Sequence, residues 1–257
     1  QRGSLRARKA WFFFSDLAVC LGADICCATG HPVVTTLNQC RLRGPVTVGG
    51  DTGSRVAVDG SGTFDVRWLW HDGIAYLFAK STPVMLVNKR VEGNWRRISS
   101  NRSHAEGYGV LGPVADRVFM AGLAHGVSPR GAPYEYAVMP GVKVRDVPEL
   151  ALSPPFRIVS NCANAQAAYH QGDEALGIVF YEAGRIEWQA WRIAVDRACV
   201  LAIRRAHGGW RAAMADPCAG AGTVRLDIAW PGGSARGIGV TLPGGQDTGK
   251  SAVISLD

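Results

Sequence analysis

The 257 residues are 47% hydrophobic and 19% charged, enough apolar material for one large or two smaller packed domains and too much for a disordered chain. Twenty-eight Lys and Arg against 21 Asp and Glu give a formal charge of +7, which favours anionic partners. No block of consecutive Lys and Arg stands out beyond the scattered Arg2, Arg6, Arg8 and Lys9, which argues against a nucleic-acid stripe, and no apolar run reaches the length of a membrane span.

Thirty-two glycines and 13 prolines fall between short apolar runs, the pattern of many short strands joined by tight turns. Residues 10–25 read as two strands around a turn at Ser15-Asp16. The basic stretch before Ala10 and the apolar run after it imitate a signal peptide, but Asp16 and Asp24 interrupt the run. A secreted form would carry its signal ahead of residue 1. Residues 33–42 form a β-branched extended segment. Phe64, Val66, Trp68 and Trp70 then alternate with Asp65, Arg67, Leu69 and His71, the period of a half-buried strand. His71-Asp72-Gly73 turns the chain into Ile74–Phe78, with Asp-Gly supplying the left-handed conformations of a hairpin. Further strands are expected near 83–90, 117–125 and 134–139.

Leu150–Pro155 marks a joint, because Pro154-Pro155 cannot continue a sheet interior. Strands follow at 156–160, 177–181, 199–204, 210–215, 223–230 and 237–242; only Glu187–Asp196 has a helical look. The expected fold is all-β: an antiparallel β-sandwich over residues 1–150 and a smaller C-terminal β-sandwich over 151–257.

The seven cysteines make no C-x-x-C pair and no metal-ligand spacing, and an odd number leaves at least one thiol free in a monomer. Gly244-Gly-Gln-Asp-Thr-Gly-Lys-Ser251 fits the pattern of a phosphate-binding loop. That chemistry needs a helix after the loop, and Ala252–Asp257 reads as a strand, so a glycine-rich hairpin turn is expected and no nucleotide. The six histidines form no H-x-x-x-H or H-E-x-x-H, and there is no G-x-S-x-G. Asp65, Asp72, Glu92 and Glu106 offer no spacing that singles out a glycosidase pair. Asn101-Arg-Ser103 fits the glycosylation sequon. Trp68, Trp70, Trp95, Trp188, Trp210 and Trp230 suit core packing better than sugar stacking, given their alternating placement.

Several segments in order resemble one family. Arg8-Lys9-Ala10-Trp11-Phe12-Phe13-Phe14-Ser15-Asp16, followed by Cys20-Leu21-Gly22-Ala23, resembles a strand pair written K-S-W-F-F-F-D-D and C-L-G-A. Thr35-Thr36-Leu37-Asn38-Gln39 resembles T-T-V-N-Q. His71-Asp72-Gly73 with Tyr76 and Phe78 resembles H-D-G-x-x-Y-x-F, and Gly93-Asn94-Trp95-Arg96-Arg97-Ile98 resembles G-x-W-x-x-I. His125-Gly126, Tyr134-Glu135-Tyr136 with Pro140, Asn161 with Ala165-Gln166-Ala167 and His170, and Asp216-Pro217 complete the series. Together they resemble polysaccharide lyase family 8, which contains hyaluronate, chondroitin AC and xanthan lyases.

The resemblance implies β-elimination on acidic, uronate-containing polysaccharides. The carboxylate is neutralised, the C5 proton removed, and the 4-O-glycosidic bond broken to leave an unsaturated sugar. In that family the Asn, His, Tyr and Arg of the site lie on an α/α-toroid preceding the β domains, and a Glu early in the β region completes the set. No position here matches them, so no catalytic residue, metal or cofactor is expected within the chain. It is expected to be inactive without a toroid domain or partner chain, whether as a truncated product, one chain of a split enzyme or a decayed homologue. Ser15 stands where the family often has Asp. Asn38, Arg41 and His71 are the candidates for substrate or interface contact, against the plainer role of holding turns and strand ends. The alternative is a stand-alone carbohydrate-binding sandwich.

Overall fold

The computed structural model describes residues 4–50, 53–56, 60–94, 97, 112–206, 208–218 and 220–256. Trp95, Arg96, Ile98, the sequon at Asn101, His104, Glu106 and His207 lie outside them, as does Arg2. All the strand pairings are antiparallel. Contacts divide the chain into two compact units: residues 31–127 with 141–151, and residues 1–30 with 128–140 and 152–257.

In the unit formed by 31–127 and 141–151, six strands make one continuous ladder. β3 (Pro32–Arg41) pairs with β8 (Val114–Val127), β8 with β7 (Ile74–Gly93), and β7 with β6 (Gly60–His71). β6 pairs with β4 (Thr47–Gly50), and β4 with β5 (Gly53–Val56). The β6–β7 turn is the expected one: Asp72 and Gly73 both take positive φ, 48° and 79°, as a two-residue hairpin loop requires. β7 is one 20-residue strand rather than two. Pro83 does not break it: it keeps its place in the β6–β7 ladder opposite Asp65, ahead of the β7–β8 ladder, which begins at Met85. The alternation read along β6 also changes partway. A register shift between Val66 and Trp68 re-aims the strand, after which Trp68, Leu69 and His71 are all buried. Both faces are covered at that end. A short helix, α1 (Val147–Leu152), follows, with Val147 buried; the Trp70 indole N–H donates to the Val142 carbonyl at 2.8 Å.

The other unit holds β1 (Arg6–Phe13), β2 (Ala18–Cys26) and β9 (Ala132–Pro140), paired in the order β1-β2-β9. It also holds a two-sheet sandwich. One sheet runs β10 (Phe156–Asn161), β11 (Ala165–His170), β12 (Ala175–Phe180), β15 (Cys199–Ala206), β16 (Gly209–Ala215), β19 (Ala252–Ser255). The other runs β13 (Gly184–Trp188), β14 (Trp191–Val195), β17 (Gly222–Ala229), β18 (Arg236–Leu242). The stretch with a helical look, 187–196, is the β13–β14 hairpin. Ile186, Trp191, Ile193 and Val195 are buried around a turn in which Gln189 takes φ 52°. Their spacing is the two-residue period of a half-buried strand, and it prevails over local helix propensity.

The core between these two sheets is filled by alternate residues of both. Leu176, Ile178, Phe180, Leu201, Ile203 and Met214 come from the larger sheet, and Ile193, Val224, Leu226, Ile228 and Val240 from the smaller. Trp191 meets Trp210 edge to face at 4.8 Å between ring centroids. Trp191→Ala should cost about 3–5 kcal/mol by emptying the centre of this core. Denaturant unfolding followed by tryptophan fluorescence measures it, and a loss below about 1 kcal/mol would remove Trp191 from the core's centre.

Candidate functional site

The family-like motifs gather into two sets of contacts, one in each unit. In the unit of β3–β8, Asn38 and Cys40 share one face of β3, and Arg41 points to the other. Asn38 donates through Nδ2 to the Tyr76 hydroxyl at 2.7 Å. Tyr76 is buried, and burial pushes its phenol up, while the hydrogen bond from Asn38 works against that rise. Beside them His71 is 2% exposed and stacked on Phe119 at 4.4 Å. Its Nε2 accepts the Arg43 backbone N–H at 3.1 Å, which leaves the proton on Nδ1, 3.9 Å from the Cys40 sulfur. Arg41 pairs with Asp116 across the β3–β8 edge, and that hydrogen bond holds the carboxyl below its usual range. Thr35 and His125, from two different motifs, meet at 2.8 Å.

Of the three candidates, the structure brings Asn38 and His71 to one polar strip and sets Arg41 apart from it. Both nitrogens of His71 face neighbours within the fold, and burial disfavours its charged form. Burial likewise raises the Cys40 thiol, reinforced by Asp72. A thiolate–imidazolium pair would need the opposite shifts in both groups. Of the G-x-W-x-x-I motif only Gly93, Asn94 and Arg97 are described.

The second set joins β1, β2 and β9 to the larger sheet of the sandwich. Gln166, fully buried, donates through Nε2 to Asn161 Oδ1 at 2.7 Å, and Asn161 Nδ2 donates to the Tyr134 carbonyl at 3.0 Å. The Tyr181 hydroxyl lies 2.6 Å from Gln166 Oε1 and 3.0 Å from the Lys9 carbonyl, with one proton to share between them. Burial, with Cys20 and Tyr181 nearby, pushes the Tyr134 phenol up to about 12. His170, 3% exposed, stacks on Phe14, accepts the Asp173 N–H at Nδ1 and places Nε2 3.1 Å from Asp16 Oδ1. Ser15 donates its hydroxyl and its backbone N–H to Asp173, at 2.6 and 2.8 Å. Burial raises the Asp173 carboxyl, but these hydrogen bonds and His170 outweigh it and leave it lowered. A carboxylate at position 15 would face Asp173, so serine suits this chain. Asp216 binds Arg197 at 3.0 Å and accepts the Cys218 N–H at 2.8 Å. The motif residues of this half are therefore structural joints.

Gly244–Ser251 is not a hairpin turn. It carries the chain from β18 in one sheet to β19 in the other through a short 3-10 turn at Gly245–Asp247, and Lys250 binds Asp247 at 2.6 Å. Trp68, Trp191, Trp210 and Trp230 are buried, and Trp11 is 53% exposed. All seven cysteines are free thiols, and among the described residues no group of three side chains could hold a metal ion.

A family model for the super-sandwich domain of polysaccharide lyase family 8 matches residues 1–151, and one for that family's C-terminal β-sandwich domain matches 157–225. The chain belongs to polysaccharide lyase family 8. It is 34% identical over 229 residues to a chondroitinase AC of Pedobacter heparinus, covering 88% of this chain and 31% of that protein. A hyaluronate lyase of Thermasporomyces composti is 30% identical over 236 residues, covering 87% and 28%. The structure of a chondroitinase AC lyase studied with oligosaccharides aligns at a TM-score of 0.87 and 30% identity, over 99% of this chain and 37% of that one. A Paenibacillus xanthan lyase shares the fold at a TM-score of 0.84 and 19% identity. The chain spans about a third or less of the length of these curated relatives.

Two predictions follow from the geometry. Gln166→Leu should cost about 1–3 kcal/mol for each partner it orphans, Asn161 or Tyr181, read as a lowered unfolding midpoint; an unchanged midpoint would mean that the network carries no stability. Burial holds the His71 imidazole below its ordinary 6.5, with Asp72 opposing. The unfolded chain thus binds that proton more readily. The stability His71 contributes is complete above pH ~6.5 and is lost as pH falls through the lowered value. The gap in melting temperature between wild type and His71→Asn should shrink from about pH 7.5 to about pH 5, whereas a constant gap would rule out His71 as the titrating group.

Proposed function

We propose that this chain is the β-sheet portion of a secreted lyase that cleaves acidic, uronate-containing polysaccharides such as hyaluronan or chondroitin by β-elimination. The observation that carries this is the ordered match to both family domains, together with the interlocking of the motif residues. Tyr181 and Gln166 from the C-terminal half close on Lys9 of the opening motif, and His170 closes on Asp16. The formal charge of +7 suits an anionic substrate.

In this reading the proton abstraction belongs to residues outside 1–257, on an α/α-toroid domain or chain. A general base must come within hydrogen-bond reach of the proton it takes. His71 is buried and engaged, and His170 is wedged between Asp16, Asp173 and Phe14. The chain contributes a rigid β scaffold to the cleft and buttresses the toroid. Asn38, Arg41 and His71 order its strands, and the exposed Arg41–Asp116 pair is the member open to a substrate or toroid contact. A stand-alone carbohydrate-binding sandwich is the weaker alternative, since Trp68, Trp210 and Trp230, three of the tryptophans that could serve as sugar platforms, lie in the interior.

The test is ultraviolet absorbance of the unsaturated product, with the chain mixed separately with hyaluronan, chondroitin sulfate and xanthan. The expected result is a flat trace for the chain alone. A steady, enzyme-proportional rise would place a competent base within these residues and overturn the assignment.

A further inference from the structure

β1 is an edge strand: among the described residues it pairs only with β2. It is eight residues long, and two of its aromatics are open, Trp11 at 53% and Phe13 at 81% exposure. Native proteins normally blunt such an edge, because its unpaired N–H and C=O groups template another strand.

The outer face of the sandwich's larger sheet lies beside it. Cross-strand neighbours there run Gly177–Ala202–Ala213–Val253 across β12, β15, β16 and β19, with Val179–Val200–Ala215 alongside. A sheet face left to solvent is normally polar, and these rows carry only small or apolar side chains. At the β12 end the face is already covered by polypeptide. Phe12 of β1 sits so close to Gly177 that a β carbon there would lie 2.5 Å from the ring. The rest forms an open groove of about 890 Å³, walled by Trp11, Phe12 and Phe13 and floored by Ala202 and Ala213. At its far side Arg204 and Arg211 are direct cross-strand neighbours, both exposed, and neither has an acidic partner among the described residues. Two like charges so placed repel each other until an anion joins them.

We propose that the outer edge of β1 and this groove form a docking surface for an extended, acidic and apolar polypeptide segment of the lyase's toroid-bearing part. The segment adds as a strand to β1, its large apolar side chains fill the groove over Ala202 and Ala213, and its carboxylates meet Arg204 and Arg211. Three observations select polypeptide over other occupants. The covering of this face by β1 is itself polypeptide and stops partway. Small floor residues allow a second sheet layer to approach closely. The chondroitinase AC relative has more than two thirds of its length outside its match to this chain. The inference rests on the proposed lyase reading for the identity of the partner.

The probe is the part of Pedobacter heparinus chondroitinase AC that lies outside that match, tagged and co-expressed with the full 257-residue chain. We expect the two to co-purify and the β1 amides to exchange more slowly in the complex. Ala202→Arg, which blocks the floor from the exposed face, and Phe13→Asp should each weaken capture by about tenfold or more, as loss of an interface anchor does. Arg185→Ala, on the outer face of the other sheet, should leave it unchanged. No complex with the wild-type chain, or one indifferent to Ala202→Arg and Phe13→Asp, would overturn the proposal. So would a homodimer dispersed by Ala202→Arg in light scattering, which would assign the face to a second copy. Chondroitin sulfate binding without the probe, lost in Arg204→Ala/Arg211→Ala, would assign it to glycan and overturn the proposal as well. The complex is then assayed for unsaturated product. A complex formed through this face but without product retains the docking surface and sinks the lyase reading, whereas product that ignores Ala202→Arg and Phe13→Asp does the reverse.

Discussion

Phe12 lies over Gly177 with no room for a β carbon, and the organisation of one half of this protein depends on that contact. It presses an edge strand that opens the sequence onto the outer face of a sheet built from its last hundred residues. Burying an aromatic ring against a bare backbone removes apolar area from water at both partners, on the order of 25 cal/mol for each Å². It also sets the spacing of the polar contacts on either side of it. Tyr181 can then reach the Lys9 carbonyl, and His170 can reach Asp16. Either polar contact without the apolar one would hold two exposed surfaces together for little net gain.

The same contact explains the character of the buried polar groups. Gln166 is fully buried and Asn161 half-buried, yet each spends its amide on a defined partner: Gln166 on Asn161 and Tyr181, and Asn161 on the Tyr134 carbonyl. In a low-dielectric joint such a network specifies one arrangement, because every alternative leaves an amide unpaired. In the other unit the strip of Asn38, Tyr76, Cys40 and His71 works in the same way at the end of β6, where both faces of the strand are covered. Asn38 and His71, which the sequence offers as candidates for substrate or interface contact, both face partners within the fold.

The polar residues of this chain that match the family motifs are arranged for rigidity. In the proposed lyase reading, a β scaffold beside a cleft must keep its shape while substrate and a second domain press on it. Polar groups tied down on both sides meet that demand better than groups free to titrate. The surfaces proposed for partners are different in kind: the exposed Arg41–Asp116 pair, the edge of β1 left unpaired among the described residues, and the small-residue floor with Arg204 and Arg211 beside it.

Much of this was legible in the sequence. Turn residues and two-residue alternation located the β1–β2 pair, the Asp72-Gly73 hairpin and most later strands, because these are local consequences of backbone sterics and burial on one face. The ordered motifs identified the family. Local reading misjudged 187–196, where cross-strand pairing decided a hairpin, and the span after Val66, where a bulge and a second covered face broke the alternation. It read Gly244–Ser251 as a hairpin turn, since nothing local reveals that β18 and β19 belong to different sheets. It also passed over β11, whose alanine-rich run carries little strand propensity and is held by β10 and β12 on its two sides. Tertiary structure alone decided which motif residues touch, that His71 and His170 are enclosed rather than presented, and that the outer face of one sheet is left half covered. Those outcomes depend on residues as many as 172 positions apart meeting in space, which no local pattern encodes.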